Sequence, residues 1–406
     1  MGSSAAARTA RIGIGVGITS PGAKDERAQA RVVEGAGGLP PEAPVPVRED
    51  LRLHAGYHSP QVEVAVRLNT NESPFPPPEG FLRELSEGMA SIQFNRYPDA
   101  RASELRSALG DYHGVPPEQV FCANGSNEVI QCLLLAFGGA GRSAVVFEPT
   151  YALHSHIARV TGTGVIVGAR DDELLVDRAG AERILAERSP EIIFLCSPNN
   201  PTGRSEMRET VEWVLESSRG LVVVDEAYGQ FASWSALSLV GTRSGPASEL
   251  DASQWSRLVV VRTFSKTWAM AAARLGYLIA HPGVVAACGD VALPYHLDAV
   301  KQLAGRLALG WHREMEERVA MVERERDHLI AAMEALEVRV WPSDANFILF
   351  KPLKRDAHEL WQELLERSVL IRDLSSWPSL PGCLRVTVGT PDEGAAFLAA
   401  LRECLR

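Results

Sequence analysis

Lys266 is one of only five lysines in the chain, and it follows an apolar run, Leu258-Val259-Val260-Val261, within Arg262-Thr263-Phe264-Ser265-Lys266-Thr267-Trp268. The other four, Lys24, Lys301, Lys351 and Lys354, stand in polar or flexible surroundings, where a lysine is a solvated charge. An amine at the mouth of a buried strand, flanked by the hydroxyls of Thr263 and Ser265, is partly desolvated. Its pKa falls, and it becomes a nucleophile suited to an aldehyde. Arg274, eight residues on, can join Thr263 and Ser265 in a cup for a phosphate.

Three other apolar runs end in polar residues of the same kind. Leu221-Val222-Val223-Val224 ends in Asp225-Glu226-Ala227-Tyr228. A carboxylate directly after a buried strand is costly unless it meets a cation or a metal. A protonated ring nitrogen supplies the cation, and Tyr228 could then reach an oxygen of the same ring. A metal is the competing reading, but no partner carboxylate or histidine lies nearby at ligand spacing. After the run at 192–196 comes Ser197-Pro198-Asn199-Asn200-Pro201-Thr202-Gly203, which either presents Asn200 as a hydrogen-bond donor or is simply a rigid turn. After 120–123 comes Asn124-Gly125-Ser126-Asn127-Glu128, opening a helix. Its free N–H groups and helix dipole suit a phosphate. The plainer reading is an N-cap by Ser126 or Asn127.

The elements that must position these groups alternate. Helical patterns at about 101–113 and 127–137 are interleaved with short apolar runs at 120–123, 143–147, 192–196, 221–224 and 258–261. Such a pattern predicts an α/β fold with a mostly parallel sheet covered on both faces. Ligands in such sheets bind beyond the carboxyl ends of the strands, where all four polar segments fall. Strands at 345–350 and 384–388 indicate a second, smaller α+β lobe. The expected division is a disordered tail over 1–46, an N-terminal arm with part of the small domain over 47–92, a large domain over 93–299 and the rest of the small domain over 300–406. The loop Asn69-Thr70-Asn71-Glu72-Ser73-Pro74-Phe75-Pro76 is too proline-rich for a regular element.

Composition removes several classes of function. Hydrophobic residues make up 46% and charged residues 23%, as in an ordinary globular protein. No apolar run approaches the roughly 20 residues of a membrane helix. A net charge of -10 argues against a nucleic-acid surface. The six cysteines form no CxxC pair, so core thiols are expected rather than zinc ligands or disulfides. No secretory leader is apparent, and a cytoplasmic setting is expected. Gly13-Ile14-Gly15-Val16-Gly17 has glycines but neither the spacing nor the flanking elements of a dinucleotide loop.

Taken together and in this order, the Asn-Pro-Thr-Gly turn, Asp-Glu-Ala-Tyr, and Ser-Lys followed eight residues later by Arg274 resemble the pyridoxal-phosphate (PLP) aminotransferases of fold type I. The subgroup is the one that includes histidinol-phosphate aminotransferase. The resemblance runs from about residue 51 to the end. It implies the PLP-transferase fold, with a mostly parallel seven-stranded-type sheet in the large domain and a smaller α+β domain. Lys266 would hold PLP and later move a proton, while Asp225 would keep the pyridine nitrogen protonated. Asn200 and Tyr228 would hold the phenolic oxygen. Tyr151 would stack on the ring, with Ala227 against its other face. Gly125, Ser126, Asn127, Thr263, Ser265 and Arg274 would surround the phosphate. Tyr97 would reach the neighbouring subunit's cofactor, which implies a homodimer with shared active sites.

For the substrate, the resemblance implies Arg385 on the α-carboxylate of the amino donor. Tyr57 and Arg372 would take the substrate phosphate, and Tyr295 would shape the imidazole pocket. Asn69 and Asn346 complete the set. The implied reaction moves an amino group between glutamate/2-oxoglutarate and imidazole-acetol phosphate/L-histidinol phosphate, in ping-pong fashion. The alternative is a related PLP enzyme with another substrate, such as an aromatic aminotransferase or a cyclase or oxidase of specialised metabolism. A fold relative that has lost catalysis would not be expected to keep Lys266, Asp225, Asn200, Tyr228 and Arg274 together. Two departures touch substrate rather than chemistry: Ser73-Pro74 where the family often has Asn-Pro, and Ala271-Ala272-Ala273 where a glycine is usual.

Overall fold

A computed structural model describes residues 62–241 and 250–406. The expected tail at 1–46 and Tyr57 lie outside these residues. Twelve strands occur among the described residues: β1 (Val66–Leu68), β2 (Val120–Ala123), β3 (Ser143–Glu148), β4 (Gly164–Ala169), β5 (Ile192–Cys196), β6 (Leu221–Asp225), β7 (Leu258–Thr263), β8 (Gly276–Ala280), β9 (Val338–Val340), β10 (Phe347–Pro352), β11 (Val369–Asp373) and β12 (Leu384–Thr387).

Seven of them form one sheet in the order β2-β8-β7-β6-β5-β3-β4. All neighbours run parallel except β8, which is antiparallel to both β2 and β7. Every residue of β5, β6 and β7 is buried. Alternate side chains enter two separate cores, as a period of two requires. Ile193, Val222, Val224 and Val260 face one core, and Phe194, Val223, Val259 and Val261 face the other. This is the α/β class expected from the apolar runs.

The remaining five strands form a mixed sheet, β1-β11-β12-β10-β9, in which β1 lies parallel to β11 and the other pairs are antiparallel. β1 thereby carries the segment before the Asn69–Pro76 loop into a sheet otherwise built from residues beyond 337. The seven expected strands are all present, with small shifts in their ends. β10 begins two residues later than expected, because Ser343 holds a turn through Ala345 N–H and Phe347 carbonyl. The helix expected from 127 starts at Gly125, whose φ of 80° makes the turn from β2. All six cysteines are free and buried. No described helix is long and apolar enough to cross a membrane, and no group of metal-binding side chains occurs among the described residues.

Candidate active site

The carboxyl ends of β2, β5, β6 and β7 place the four polar segments along one edge of the large sheet. Register fixes their spacing: Cys196 is opposite Asp225, and Asp225 is opposite Val261.

Lys266 lies just past β7 and is partly buried. Its Nζ donates to the carbonyls of Asn71 at 2.8 Å and Thr70 at 3.1 Å, both in the loop after β1. Burial brings its pKa down to about 7, the neighbouring Arg385 and Arg274 push the same way, and Glu72 opposes them. The amine stands 5.6 Å from the centre of the Tyr228 ring.

Asp225 closes β6 with 1% of its surface exposed. Its Oδ2 is 2.9 Å from His154 Nε2, and its Oδ1 accepts from the Ala227 N–H at 3.1 Å. His154 is fully buried, stacked on Phe194 with ring centres 4.7 Å apart. It stands in the first turn of the helix Ala152–Val160, three residues after Tyr151. The sequence singles out Tyr151 and not His154. The signal was a polar ring one helical turn from a chosen aromatic, ambiguous without knowing which way that helix faces.

A cup forms between the helix Gly125–Phe137 and the loop after β7. Arg274 Nη1 donates to Ser265 Oγ at 3.3 Å, and the Thr263 and Ser265 hydroxyls are 3.0 Å apart. Two glycines make the approach possible. A Cβ on Gly125 would come within 2.8 Å of Arg274 Nη2, and one on Gly276 within 2.3 Å of the Ser126 nitrogen. Guanidinium, hydroxyls and the N–H groups of a 13-residue helix therefore converge. Asn127 accepts from the Tyr151 hydroxyl at 3.1 Å, which ties the aromatic to the cup.

On the facing side, the buried Arg385 of β12 donates to Asn69 carbonyl at 2.9 Å and to Asn200 Oδ1 at 2.5 Å. This leaves the Asn200 amide nitrogen as the donor end. Asn199 holds that turn from beneath, accepting from Thr150 Oγ1 at 2.7 Å and donating to the Pro149 carbonyl. Arg372 on β11 is directly opposite Arg385, so both side chains leave one face of the small sheet. Asn346 donates to the carbonyls of Asn71 and Glu72.

Tyr228 is buried, and burial raises its pKa; its hydroxyl accepts from Asn71 Nδ2 at 3.0 Å. Asn71, absent from the expected set although its loop was singled out, touches Lys266, Tyr228 and Thr387. Tyr295 stacks on Tyr97 at 4.5 Å, and these rings are 44% and 81% exposed.

The group implied by the sequence carries an aldehyde, a ring nitrogen, a phenolic oxygen and a phosphate. The amine of Lys266, the carboxylate of Asp225, the Tyr228–Asn200 pair and the glycine-lined cup are complementary to these in kind. The residues present fit PLP.

This fold and this edge of the sheet define an aminotransferase. The profile of the family "Aminotransferase class I and II" matches residues 63–401, and the chain belongs to that family. Among its relatives is the histidinol-phosphate aminotransferase of Streptomyces avermitilis, 45% identical over 372 residues, 88% of this chain and 96% of that protein. That of Frankia casuarinae is 43% identical over 374 residues, 89% of this chain and 90% of the other. The solved structure of histidinol-phosphate aminotransferase from Sinorhizobium meliloti, in complex with pyridoxal-5'-phosphate, superposes with a TM-score of 0.75 at 22% identity, covering 85% of this chain and 91% of that one.

Proposed function

We propose that this chain is a PLP-dependent histidinol-phosphate aminotransferase, passing the amino group of glutamate to imidazole-acetol phosphate to give 2-oxoglutarate and L-histidinol phosphate. The observation that carries the substrate assignment is the pairing of Arg372 with Arg385 across β11 and β12. The two substrates must use one site in turn. Glutamate brings two carboxylates, and the keto substrate brings a phosphate and no carboxylate. Two arginines on one face of the small sheet, one of them bonded to Asn200, provide for both. The curated relatives at 43–45% identity carry the same activity in their names.

When bound, PLP supplies an electron sink for the carbanion left when substrate Cα loses its proton. The chain's own residues do the rest. Lys266, neutral above about pH 7, would take the proton from substrate Cα and hand it to the carbon two bonds away, across the amino nitrogen. Asp225 holds a proton on the ring nitrogen, and His154 holds Asp225 in place. Tyr228 and Asn200 hydrogen-bond the phenolic oxygen, and Tyr151 covers the ring. Gly125, Ser126, Asn127, Thr263, Ser265 and Arg274 bind the phosphate through the helix terminus and guanidinium. Arg385 grips the donor's α-carboxylate.

The working unit in this reading is a homodimer. Tyr97, 81% exposed in the single chain, would be covered by the partner and reach its phosphate cup. The arm before residue 92 would belong with the 300–406 region as the small domain, which the pairing of β1 with β11 supports. Six free, buried thiols suit a reducing cytoplasm.

The test is substrate exchange on the purified protein. Glutamate and imidazole-acetol phosphate together should yield 2-oxoglutarate and L-histidinol phosphate. Turnover of phenylpyruvate with no turnover of imidazole-acetol phosphate would overturn the substrate assignment and favour an aromatic aminotransferase.

A further inference from the structure

We infer that Asn71 is a positioning residue that sets the direction of the Tyr228 hydroxyl proton, aiming it at the cofactor's phenolic oxygen. The inference rests on the PLP reading above.

Asn71 uses all four of its polar groups. Its N–H donates to Thr387 Oγ1 at 3.0 Å, and its carbonyl accepts from Lys266 Nζ at 2.8 Å. Its side-chain oxygen accepts from the Thr387 hydroxyl at 3.1 Å, and its side-chain nitrogen donates to the Tyr228 oxygen at 3.0 Å. All three side chains, Asn71, Thr387 and Tyr228, are buried.

The amide's orientation decides the argument. Thr387 Oγ1 already accepts one bond from the Asn71 backbone, and its own proton needs an acceptor. With Oδ1 toward Thr387 that proton is satisfied, and Nδ2 is left to face Tyr228. In the reversed orientation the Thr387 proton loses that acceptor inside a closed site, which costs more than the bond regained. So the amide donates to Tyr228. A tyrosine oxygen that accepts on one side must place its own proton elsewhere, and burial keeps that hydroxyl protonated at neutral pH. The Lys266 amine, to which the cofactor would be joined, stands 5.6 Å from the centre of the Tyr228 ring, so a cofactor held there would lie beside that residue and offer its phenolic oxygen to the proton.

The backbone supports the same assignment. Asn71 has φ of 54°, the left-handed region that asparagine tolerates better than most residues. The loop after β1 therefore holds Asn71 by its conformation, by Thr387 on β12 and by Asn346.

The experiment is a visible-absorbance pH titration of the holoenzyme, with a double-mutant cycle. A donor to the phenolic oxygen stabilises its deprotonated form, so losing the donor raises the midpoint of the titration. Asn71→Asp can only accept at the Tyr228 end and so draws the tyrosine proton away. Its midpoint should rise by about one pH unit, a tenfold change. Tyr228→Phe should give a similar rise. In the Tyr228→Phe background, Asn71→Asp should add much less, because only the bare charge effect remains. Asn71→Gly, which keeps the left-handed backbone and adds no charge, should give a smaller rise in the same direction.

Equal shifts for Asn71→Asp in both backgrounds, or no shift in either, would overturn the inference; a fall in thermal stability alone would show a structural role only. Should the wild-type protein bind PLP without any visible pH-dependent band, the cofactor reading fails and this inference with it. Variants that match a titrating wild type overturn the Asn71 inference alone.

Discussion

Asp225 Oδ2 lies 2.9 Å from His154 Nε2, with both side chains closed off from solvent. A buried carboxylate at a strand end is held here by one imidazole and one backbone N–H. Replacing Asp225 by Asn removes the charge that would keep a ring nitrogen protonated. We expect kcat to fall by on the order of 10²–10³ or more, the scale of a lost electrostatic partner in a dry site. His154→Ala should cost less in rate but should lower stability, by about 1–3 kcal/mol, because it leaves a buried carboxylate short of a partner. Steady-state kinetics and thermal melts on both variants check the split.

Lys266 has a pH signature. Its folded pKa is lowered to about 7 from 10.5, so the amine is neutral, and nucleophilic, above about pH 7. The rate at which the apoprotein takes up PLP should therefore rise with pH and level off above about 7 to 8. An unperturbed lysine would still be gaining rate near pH 10. The same shift has a stability sign. Between about 7 and 10.5 the unfolded chain binds the extra proton, so this group's contribution to stability improves as pH rises through that window. Stopped-flow absorbance across pH 6–10 reads the first effect, and Lys266→Ala should abolish borohydride-trapped label.

The two facing arginines should separate by substrate. Arg385 is buried and bonded to Asn200 and Asn69. Truncating it to Ala should raise KM for glutamate by on the order of 10²-fold, about 2–3 kcal/mol for a lost charge-assisted pair. Arg372→Ala should instead weaken the phosphorylated substrate most, and glutamate by a smaller factor through its second carboxylate. Half-reaction titrations with glutamate and with L-histidinol phosphate distinguish them. Equal losses on both substrates in both variants would refute the division of labour.

How much of this was legible in the sequence depended on where each residue stood. Asp225 and Lys266 could be read because each follows an unbroken apolar run, and such a run in a parallel sheet has one functional end. The central strands β5, β6 and β7 were legible for the same reason. β4 is not legible because it is an edge strand that contains two glycines, Gly164 and Gly168, and only one of its six residues is buried. β8 is not legible because it opens on Gly276 straight after the lysine loop, and β1 because it has three residues. His154 was illegible because its role depends on which face of a helix turns toward β6. Asn71 was illegible because its partners Tyr228 and Thr387 are 157 and 316 residues away in the chain. Contacts at that separation follow from the fold and leave no local pattern.

Gly276 tests the phosphate cup without touching a charged group. A Cβ there would lie 2.3 Å from the Ser126 nitrogen and 2.5 Å from the Gly125 carbonyl carbon, backbone atoms that cannot turn aside as a side chain would. Gly276→Ala must push β8 away from the first turn of the helix Gly125–Phe137, at a cost of about 1–3 kcal/mol for overpacking. The N–H groups of that turn then lose their aim at the cup, while Arg274, Thr263 and Ser265 keep their chemistry. The expected result is weaker binding of PLP and of inorganic phosphate alike, with the Lys266 pH profile unchanged. If the variant loses thermal stability yet binds both at wild-type strength, the helix terminus is not part of the phosphate site. The cup would then consist of the guanidinium and hydroxyls alone.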